Sequence, residues 1–470
     1  MTADPAAATE SPAPRALYHA ITDPGSLDRF GERIEPGNPS GWPGYEDQLR
    51  RAREAASTRH AVTTGMATVG GEPCVIVGSE FAFMGGSMGV AEGARITRAF
   101  SVAMAKRLPV VCVAASGGSR MQEGTSALVQ MQAVAGAIAA ARRAGIPHIA
   151  VAGDPTTGGV WASLVAGADV LIGVPSARVS FSGSRTRPAG SDPGSAEFLA
   201  DGKWAHGFVD VLAPPDGLRA VVATAVRLLS PRSRGARADP GTLAVPPHAP
   251  PAGAARPGGG DPGQDAWAQV VAARSGQRDR AARWLAGYFE ETFQIRGDRC
   301  GGVDTGLRCG FGRRGAATAG YIAQTGRPTT PAGFRTATRL LALATRFGRP
   351  VLTLIDTPGA AAAPADEAAG TGPAIAELFI AIADSQVPVT SVVIGEGVSG
   401  GALALASPGN LWLAHDGYLA VTAPELATSI LKLPAQDAPQ VAGRLRLTPA
   451  ELLRRGLIRG IVPPPAAGRG

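Results

Sequence analysis

The sequence predicts an α/β chain that repeats one strand–helix module in tandem. Three observations predict it. Runs of β-branched apolar residues alternate with helical patterns, as a sheet flanked by helices requires. Val387–Ala406 reads as a buried strand, a glycine-rich turn over Gly395–Gly401 and a small-residue helix, and Ile146–Val160 repeats the device with a polar turn and Gly158-Gly159 opening the helix. Each device follows another strand that ends in glycine, Val110–Gly118 and Val351–Ala360, and the intervals Gly117 to Gly158 and Gly359 to Gly400 are both 41 residues. Such self-similarity reads as duplication.

Taken in order, residues 1–16 are Ala/Pro-rich and read as a disordered tail. A first domain is expected over 17–230. Tyr18–Gly44 mixes turn signals with scattered apolar residues and is expected to wrap this domain, and Tyr45–Ser57 reads as a charged helix. Strands over Gly65–Val69 and Pro73–Val77 flank Gly70-Gly71, a hairpin signal. The glycine-rich run Ser79–Gly89 leads into a helix over Ala91–Arg107. A long helix to about Ala144 is expected to bury a Met121, Met131 and Val134 stripe. Strand Ala168–Gly173 follows the first device. Residues 231–265 are Pro/Gly/Ala-rich and read as a linker. The second domain, 266–470, begins with a helix pattern over Trp267–Phe293. Strands around Thr305–Gly310 and Ala316–Ala323 and a helix over Pro331–Phe347 precede the second device, and strand Gly409–Ala414 follows it.

Composition narrows the class. The 470 residues carry a net charge of +7, almost wholly from arginine, since only Lys106, Lys203 and Lys432 are lysine. No basic run alternates with aromatic residues, so nucleic acid is not expected as a partner. A diffuse positive field favours anionic substrates. No apolar run reaches membrane-spanning length and the first residues do not read as a signal peptide, so a cytoplasmic protein without membrane association is expected. Cys74, Cys112, Cys300 and Cys309 form no CxxC pair, so no zinc or other metal site is predicted. Cys74 and Cys112 read as core thiols.

A strand that turns through glycines into a helix presents backbone N–H groups and the positive end of a helix dipole, a place to hold an oxygen that carries negative charge. Two such devices suggest two developing oxyanions; tight helix–strand packing is the competing reading of the same glycines. None of His19, His60, His148, His206, His248 and His415 lies in a nucleophile motif, and each reads as a surface or core residue. Chemistry led by backbone amides without a side-chain nucleophile fits enolate stabilisation on a thioester. Gly395–Gly400 also matches the GxGxxG dinucleotide fingerprint, although its counterpart over Gly153–Gly159 does not. Asp356–Gly359 matches a DxxG turn, but the absence of a GxxxxGK[ST] loop argues against a nucleoside triphosphatase.

Phe81–Gly89 (FAFMGGSMG), Ser116–Glu123 (SGGSRMQE) and Asp154–Val160 (DPTTGGV) resemble the β subunit of bacterial acetyl-CoA carboxylase carboxyltransferase. Pro331–Arg335 (PAGFR), Phe347–Pro350 (FGRP), Ile355–Ala360 (IDTPGA) and Ile394–Ala404 (IGEGVSGGALA) resemble its α subunit. The resemblance runs from about residue 45 and implies a fused β–α chain with two crotonase-like (ClpP/crotonase) domains of ββα repeats. It implies transfer of carboxylate from carboxybiotin, on a separate biotin carboxyl carrier protein charged by a biotin carboxylase, to acetyl-CoA or a related acyl-CoA, giving malonyl-CoA for fatty acid or polyketide-precursor synthesis. By the same resemblance Gly117, Gly118, Gly158 and Gly159 serve the CoA thioester, and Gly359, Ala360, Gly400 and Gly401 serve biotin. Gly85, Gly86, Arg120 and Arg327 are assigned to cofactor binding, with an ion pair the alternative for Arg120. A homo-oligomer, a dimer of fused chains, is implied, because the family's site lies between opposite halves of two protomers.

This chain departs from the family's pattern. It shows no four-cysteine zinc ribbon, its basic run shrinks to Gln324–Pro328, and Ser182–Pro188 differs from the usual segment. Two other readings stay open: a malonate-type decarboxylase acting on an acyl thioester, and a non-catalytic paralogue that scaffolds a carboxylase complex.

Overall fold

The computed structural model describes residues 16–56, 58–182, 192, 195–232, 266–274, 280–407 and 409–462. All but the last residue of the expected tail, most of Ser182–Pro188 and nearly all of the 231–265 linker lie outside them. The chain divides into two compact units, Met1–Asp201 with Leu212–Val226, and Gly202–Val211 with Arg227–Gly470.

The first sheet contains β1 (Asp28–Arg29), β2 (Val62–Val69), β3 (Glu72–Ser79), β4 (Val110–Ser116), β5 (His148–Thr157), β6 (Val170–Gly173), β7 (Val179–Ser180) and β8 (Val211–Leu212), in the order β1-β2-β3-β4-β5-β6-β8 with β7 on β5. β2 and β3 form the expected hairpin, with Gly70 and Gly71 both at positive φ as a two-residue primed turn demands. From β3 to β6 the pairing is parallel. Parallel strands covered on both faces need continuous apolar runs, and β4 is buried at all positions but Ala115, which is half-buried.

The second sheet contains β9 (Glu291–Ile295), β10 (Leu307–Arg314), β11 (Ala317–Gln324), β12 (Val351–Thr357), β13 (Val389–Val398), β14 (Leu411–Ala414), β15 (Tyr418–Ala420) and β16 (Gly460–Val462), ordered β16-β14-β13-β12-β11-β10-β9 with β15 on β13. It repeats the first sheet's central topology, an antiparallel pair (β10, β11) followed by parallel β11, β12, β13 and β14. The Pro331–Phe347 helix has local determinants at both ends. Thr330 Oγ1 accepts the Gly333 N–H at 3.3 Å, Pro331 occupies the first turn, and Gly348 ends it at φ 64°.

Several expectations are corrected. The Trp267–Phe293 pattern is not one helix: helices Ala266–Arg274 and Arg280–Tyr288 are followed by β9, where Thr292, Phe293 and Ile295 favour strand. The long helix after β4 is broken into a 3₁₀ turn over Met121–Glu123 and helices Gly124–Leu128 and Gln130–Arg143. Val134 is buried as expected, but Met121 is 77% exposed. The polar turn after Ile146 is the second half of β5, and most of the presumed Gly395–Gly401 turn is the end of β13. Both strands outrun their apolar stretch because β7 and β15 pair with their C-terminal ends. No single helix among the described residues is long and apolar enough to cross a membrane.

His60 is buried in the first unit and neither ring nitrogen has a hydrogen-bond partner among the described residues. Glu32 lies 3.6 Å from Nε2, and Arg95, Glu92 and Glu35 are its other charged neighbours. Burial, reinforced by Arg95, pushes its pKa down. A base held neutral in the fold contributes stability that is intact above its ordinary value of roughly 6.5 and is lost as pH falls from there towards the lower folded value. Thermal melts should therefore weaken on acidification below about pH 6.5. His60→Gln should flatten that acid limb; an unchanged acid limb would count against this account.

Candidate functional site

The two halves build the same junction. In each, the β-strand preceding the device carries a register shift one residue before its end, at Ala114/Ser116 in β4 and Ile355/Thr357 in β12. The chain then crosses a glycine and pairs briefly with an upstream loop, Met88 with Ser119 and Thr329 with Ala360. The bonds match one for one. Gly118 N–H donates to Ser116 Oγ and Gly359 N–H to Thr357 Oγ1, both at 3.1 Å. Met88 N–H donates to the Gly118 carbonyl and Thr329 N–H to that of Gly359. Gly118 (φ 109°) and Gly359 (φ 134°) take conformations that side chains disfavour.

These correspondences shift the sequence alignment of the copies by one residue. Gly118 matches Gly359, Ser119 matches Ala360, and Gly159 matches Gly400. Gly158 then matches Ser399, and both stand at φ 63° between strand and helix. Within each half the structure brings the expected residues together. A Cβ on Gly158 would lie 3.2 Å from the Gly118 Cα, and one on Gly401 would lie 2.4 Å from the Ala360 nitrogen. A Cβ on Gly159 would meet Met131 Sδ at 2.6 Å and Ser119 Oγ at 2.8 Å. The packing role of Gly158, Gly159 and Gly401 is therefore real, and it brings the expected residues of each half together.

The donors differ from those expected. The N–H of Gly117 is committed to the Gly85 carbonyl (2.9 Å), that of Gly118 to Ser116, that of Gly158 to the Phe181 carbonyl (3.1 Å) and that of Gly359 to Thr357. These four shape the turns. The amides of Ser119 and Gly159 in the first half, and of Ala360, Gly400 and Gly401 in the second, have no acceptor among the described residues. Ser119 was missed because the first half was read for glycines; its match to Ala360 is the signal that finds it. Ser399 was missed too: a half-turn residue at positive φ, exposed at the mouth of the junction. The dinucleotide reading fails, because Gly395 and Gly397 lie inside β13 and no glycine loop precedes the helix there. Gly395 is instead small because the Asp356 carboxylate packs on it and accepts the Glu396 N–H at 3.0 Å.

Arg120 is corrected from a cofactor contact to an internal ion pair. Its side chain is fully buried, with Glu92 at 3.0 Å and Glu123 at 3.3 Å. It donates to the Ser87 carbonyl (2.6 Å) and Ser87 Oγ (3.1 Å), and its guanidinium lies 5.7 Å from the Phe83 ring. Tyr45 Oη donates to Glu123 (2.7 Å), whose other oxygen accepts the Val90 N–H (2.6 Å), and Glu92 accepts the N–H of Gly89 (3.0 Å). Burial works against the arginine's charge, but Glu92, Tyr45 and Glu123 outweigh it and hold its pKa above the usual value. Burial pushes the Tyr45 phenol up. The cluster fixes the 83–90 loop, which in turn carries Gly85 and Met88. Gly86 also packs inward, since a Cβ there would lie 2.2 Å from the Ala115 carbonyl oxygen, whereas Gly85 faces open space. Arg327 is exposed beside the second junction, its carbonyl accepting from Thr357 Oγ1 at 2.9 Å, and its side chain makes no ion pair among the described residues.

Cys74, Cys112 and Cys309 are buried core thiols and Cys300 is exposed. No group of three potential metal ligands occurs among the described residues.

Residues 264–469 match the family model described as acetyl co-enzyme A carboxylase carboxyltransferase-like, and residues 39–186 match the carboxyl transferase domain. The chain is 39% identical over 471 aligned positions to the acetyl-coenzyme A carboxylase carboxyl transferase subunits beta/alpha of Salinispora arenicola, covering 95% of this chain and 81% of that one. It is 31% identical to a probable biotin-dependent acyl-coenzyme A carboxylase beta3 subunit of Mycobacterium bovis, covering 95% and 88%. Among solved structures, transcarboxylase 12S superimposes with a TM-score of 0.73 at 20% identity, over 95% of this chain and 86% of that one. A single-chain, multi-domain long-chain acyl-CoA carboxylase gives 0.72 at 19%, over 95% and 45%. The expected tandem crotonase-like fold is borne out.

Proposed function

Because the chain belongs to the acetyl-CoA carboxylase carboxyltransferase family, we propose that it moves a carboxylate from carboxybiotin, held on a separate carrier protein, to acetyl-CoA, giving malonyl-CoA. The observation that carries this reading is the pair of uncommitted amide sets, Ser119 with Gly159 and Ala360 with Gly400 and Gly401, one set per unit. Carboxyl transfer to a thioester develops negative charge on two oxygens, the thioester's and the ureido group's. Backbone donors placed where charge develops are each worth about 3–4 kcal/mol in such sites.

The second junction suits the cofactor. A Cβ on Gly400 would meet nothing within 4 Å, so a ring has room to reach the amides. Ala360, Gly400 and Gly401 would hold the ureido oxygen, with the exposed Arg327 beside them. When bound, carboxybiotin supplies the CO₂ and a ureido nitrogen that can accept the methyl proton of the acyl group. This matches a chain whose junctions hold no histidine or cysteine nucleophile among the described residues. Ser119 and Gly159 would hold the thioester oxygen as it becomes an enolate. Gly159 is buried against Met131, which excludes water on one side and strengthens the hydrogen bonds. The partners that follow are a biotin carboxyl carrier protein, a biotin carboxylase and further copies of this chain.

The test runs the reaction backwards with malonyl-CoA and biocytin. Purified full-length protein should release acetyl-CoA only when biocytin is present. Release without biocytin would favour the decarboxylase reading, and no release the scaffold reading.

A further inference from the structure

Gln324 ends β11 and its side chain is completely buried. Its Nε2 lies 3.1 Å from the Gly401 carbonyl oxygen and 2.9 Å from Thr329 Oγ1. Since a carbonyl can only accept, the amide nitrogen must face Gly401. The opposite atom, Oε1, is buried without a hydrogen-bond partner among the described residues. A bare buried acceptor carries a desolvation penalty, so packing alone would be better served by an apolar side chain. In sheet register Gln324 corresponds to Ser79, the half-buried last residue of β3, so the first half holds no carboxamide at that place.

The two groups that Gln324 bridges frame the second amide set. Gly401 packs its Cα on the Ala360 nitrogen. Thr329 pairs with Ala360, donating to the Gly359 carbonyl and accepting the Ala361 N–H at 2.8 Å. One carboxamide thus ties the start of the helix carrying Gly400 and Gly401 to the loop that fixes Ala360. The first half secures its loop with the Arg120 cluster; at the matching positions the second half has Ala361, Gly333 and Pro364 for Arg120, Glu92 and Glu123, so that cluster has no counterpart there.

We infer that Gln324 is a positioning residue for the second amide set, holding the donors from strand end and helix start at the spacing that a cyclic-urea oxygen needs. The inference rests on the carboxyltransferase reading. Gln324→Met keeps the shape and removes the clamp. In the malonyl-CoA and biocytin assay with the full chain it should lower biocytin-dependent turnover by about tenfold to a hundredfold. Its melting temperature and its affinity for malonyl-CoA should stay those of the wild type. Gln324→Glu supplies the readout that a merely structural role would not move. An ionised carboxylate cannot donate to the Gly401 carbonyl, whereas a protonated one can. Relative to wild type, that variant should be poorest at alkaline pH and recover as pH falls.

Wild-type turnover in both variants would overturn the inference, as would equal loss of malonyl-CoA affinity in Gln324→Met or a Gln324→Glu profile parallel to wild type. A wild-type chain inert with malonyl-CoA and biocytin would instead remove the functional reading, and the inference with it.

Discussion

Gly400→Pro is expected to cut biocytin-dependent release of acetyl-CoA by roughly 10²–10³-fold, the usual cost of deleting one donor from an oxyanion site. Proline is tolerated in the first turn of a helix, so the main effect is loss of the N–H. Gly400→Ala is the control. A Cβ there meets nothing within 4 Å and Gly400 is not among the glycines at positive φ, so alanine keeps the amide and should keep most of the rate. Malonyl-CoA affinity should survive both changes, because the thioester is assigned to the other unit. If alanine and proline proved equally damaging, the amide would not be the active feature. If the proline variant lost CoA binding, the division of labour between the two sets would be wrong.

Arg120→Met is expected to cost about 3–5 kcal/mol, because it strands Glu92 and Glu123 as uncompensated buried carboxylates. Arg120→Lys should recover only part of this. An ammonium cannot reproduce the fork that reaches Ser87 and both carboxylates together. Urea or thermal denaturation of the full chain measures the loss, which should appear in the first unit's transition. A denaturation curve for Arg120→Met that overlays the wild type would show that the cluster is energetically neutral and that the 83–90 loop is held by something else.

Much of the fold was legible because it rests on local signals. Gly70-Gly71 announced a hairpin, Pro331–Phe347 read as a helix, and the apolar runs of β4, β5, β12 and β13 read as buried strands. The strand ends were not legible. Gly153-Asp154-Pro155 and Gly395-Glu396-Gly397 look like turns, and they are strand only because β7 and β15, distant in sequence, pair with them. Of the eight residues assigned to the two candidate holes, Gly159, Ala360, Gly400 and Gly401 keep an uncommitted N–H, while Gly117, Gly118, Gly158 and Gly359 spend theirs within the turns. Glycine marks where backbone must pass close to backbone, as at Gly86 and Gly401, and says nothing of whether an N–H is already engaged. Ser119 carries no such mark, and it comes into view only through its match to Ala360 between the halves. Arg120 misled for a related reason. An arginine in a loop reads as exposed until the carboxylates at 92 and 123, one on each side of it in space, are seen to close around it.

The unlike fastenings of the two loops carry a consequence for how each half can change over generations. Arg120, Glu92, Glu123 and Tyr45 constrain one another, so a single substitution among them leaves a charge or hydroxyl stranded, and drift there demands concerted replacement. In the other half the carboxamide of Gln324 is neutral and Asp304, accepting from the Thr330 N–H and hydroxyl, holds the same loop, so replacing Gln324 strands no charge there.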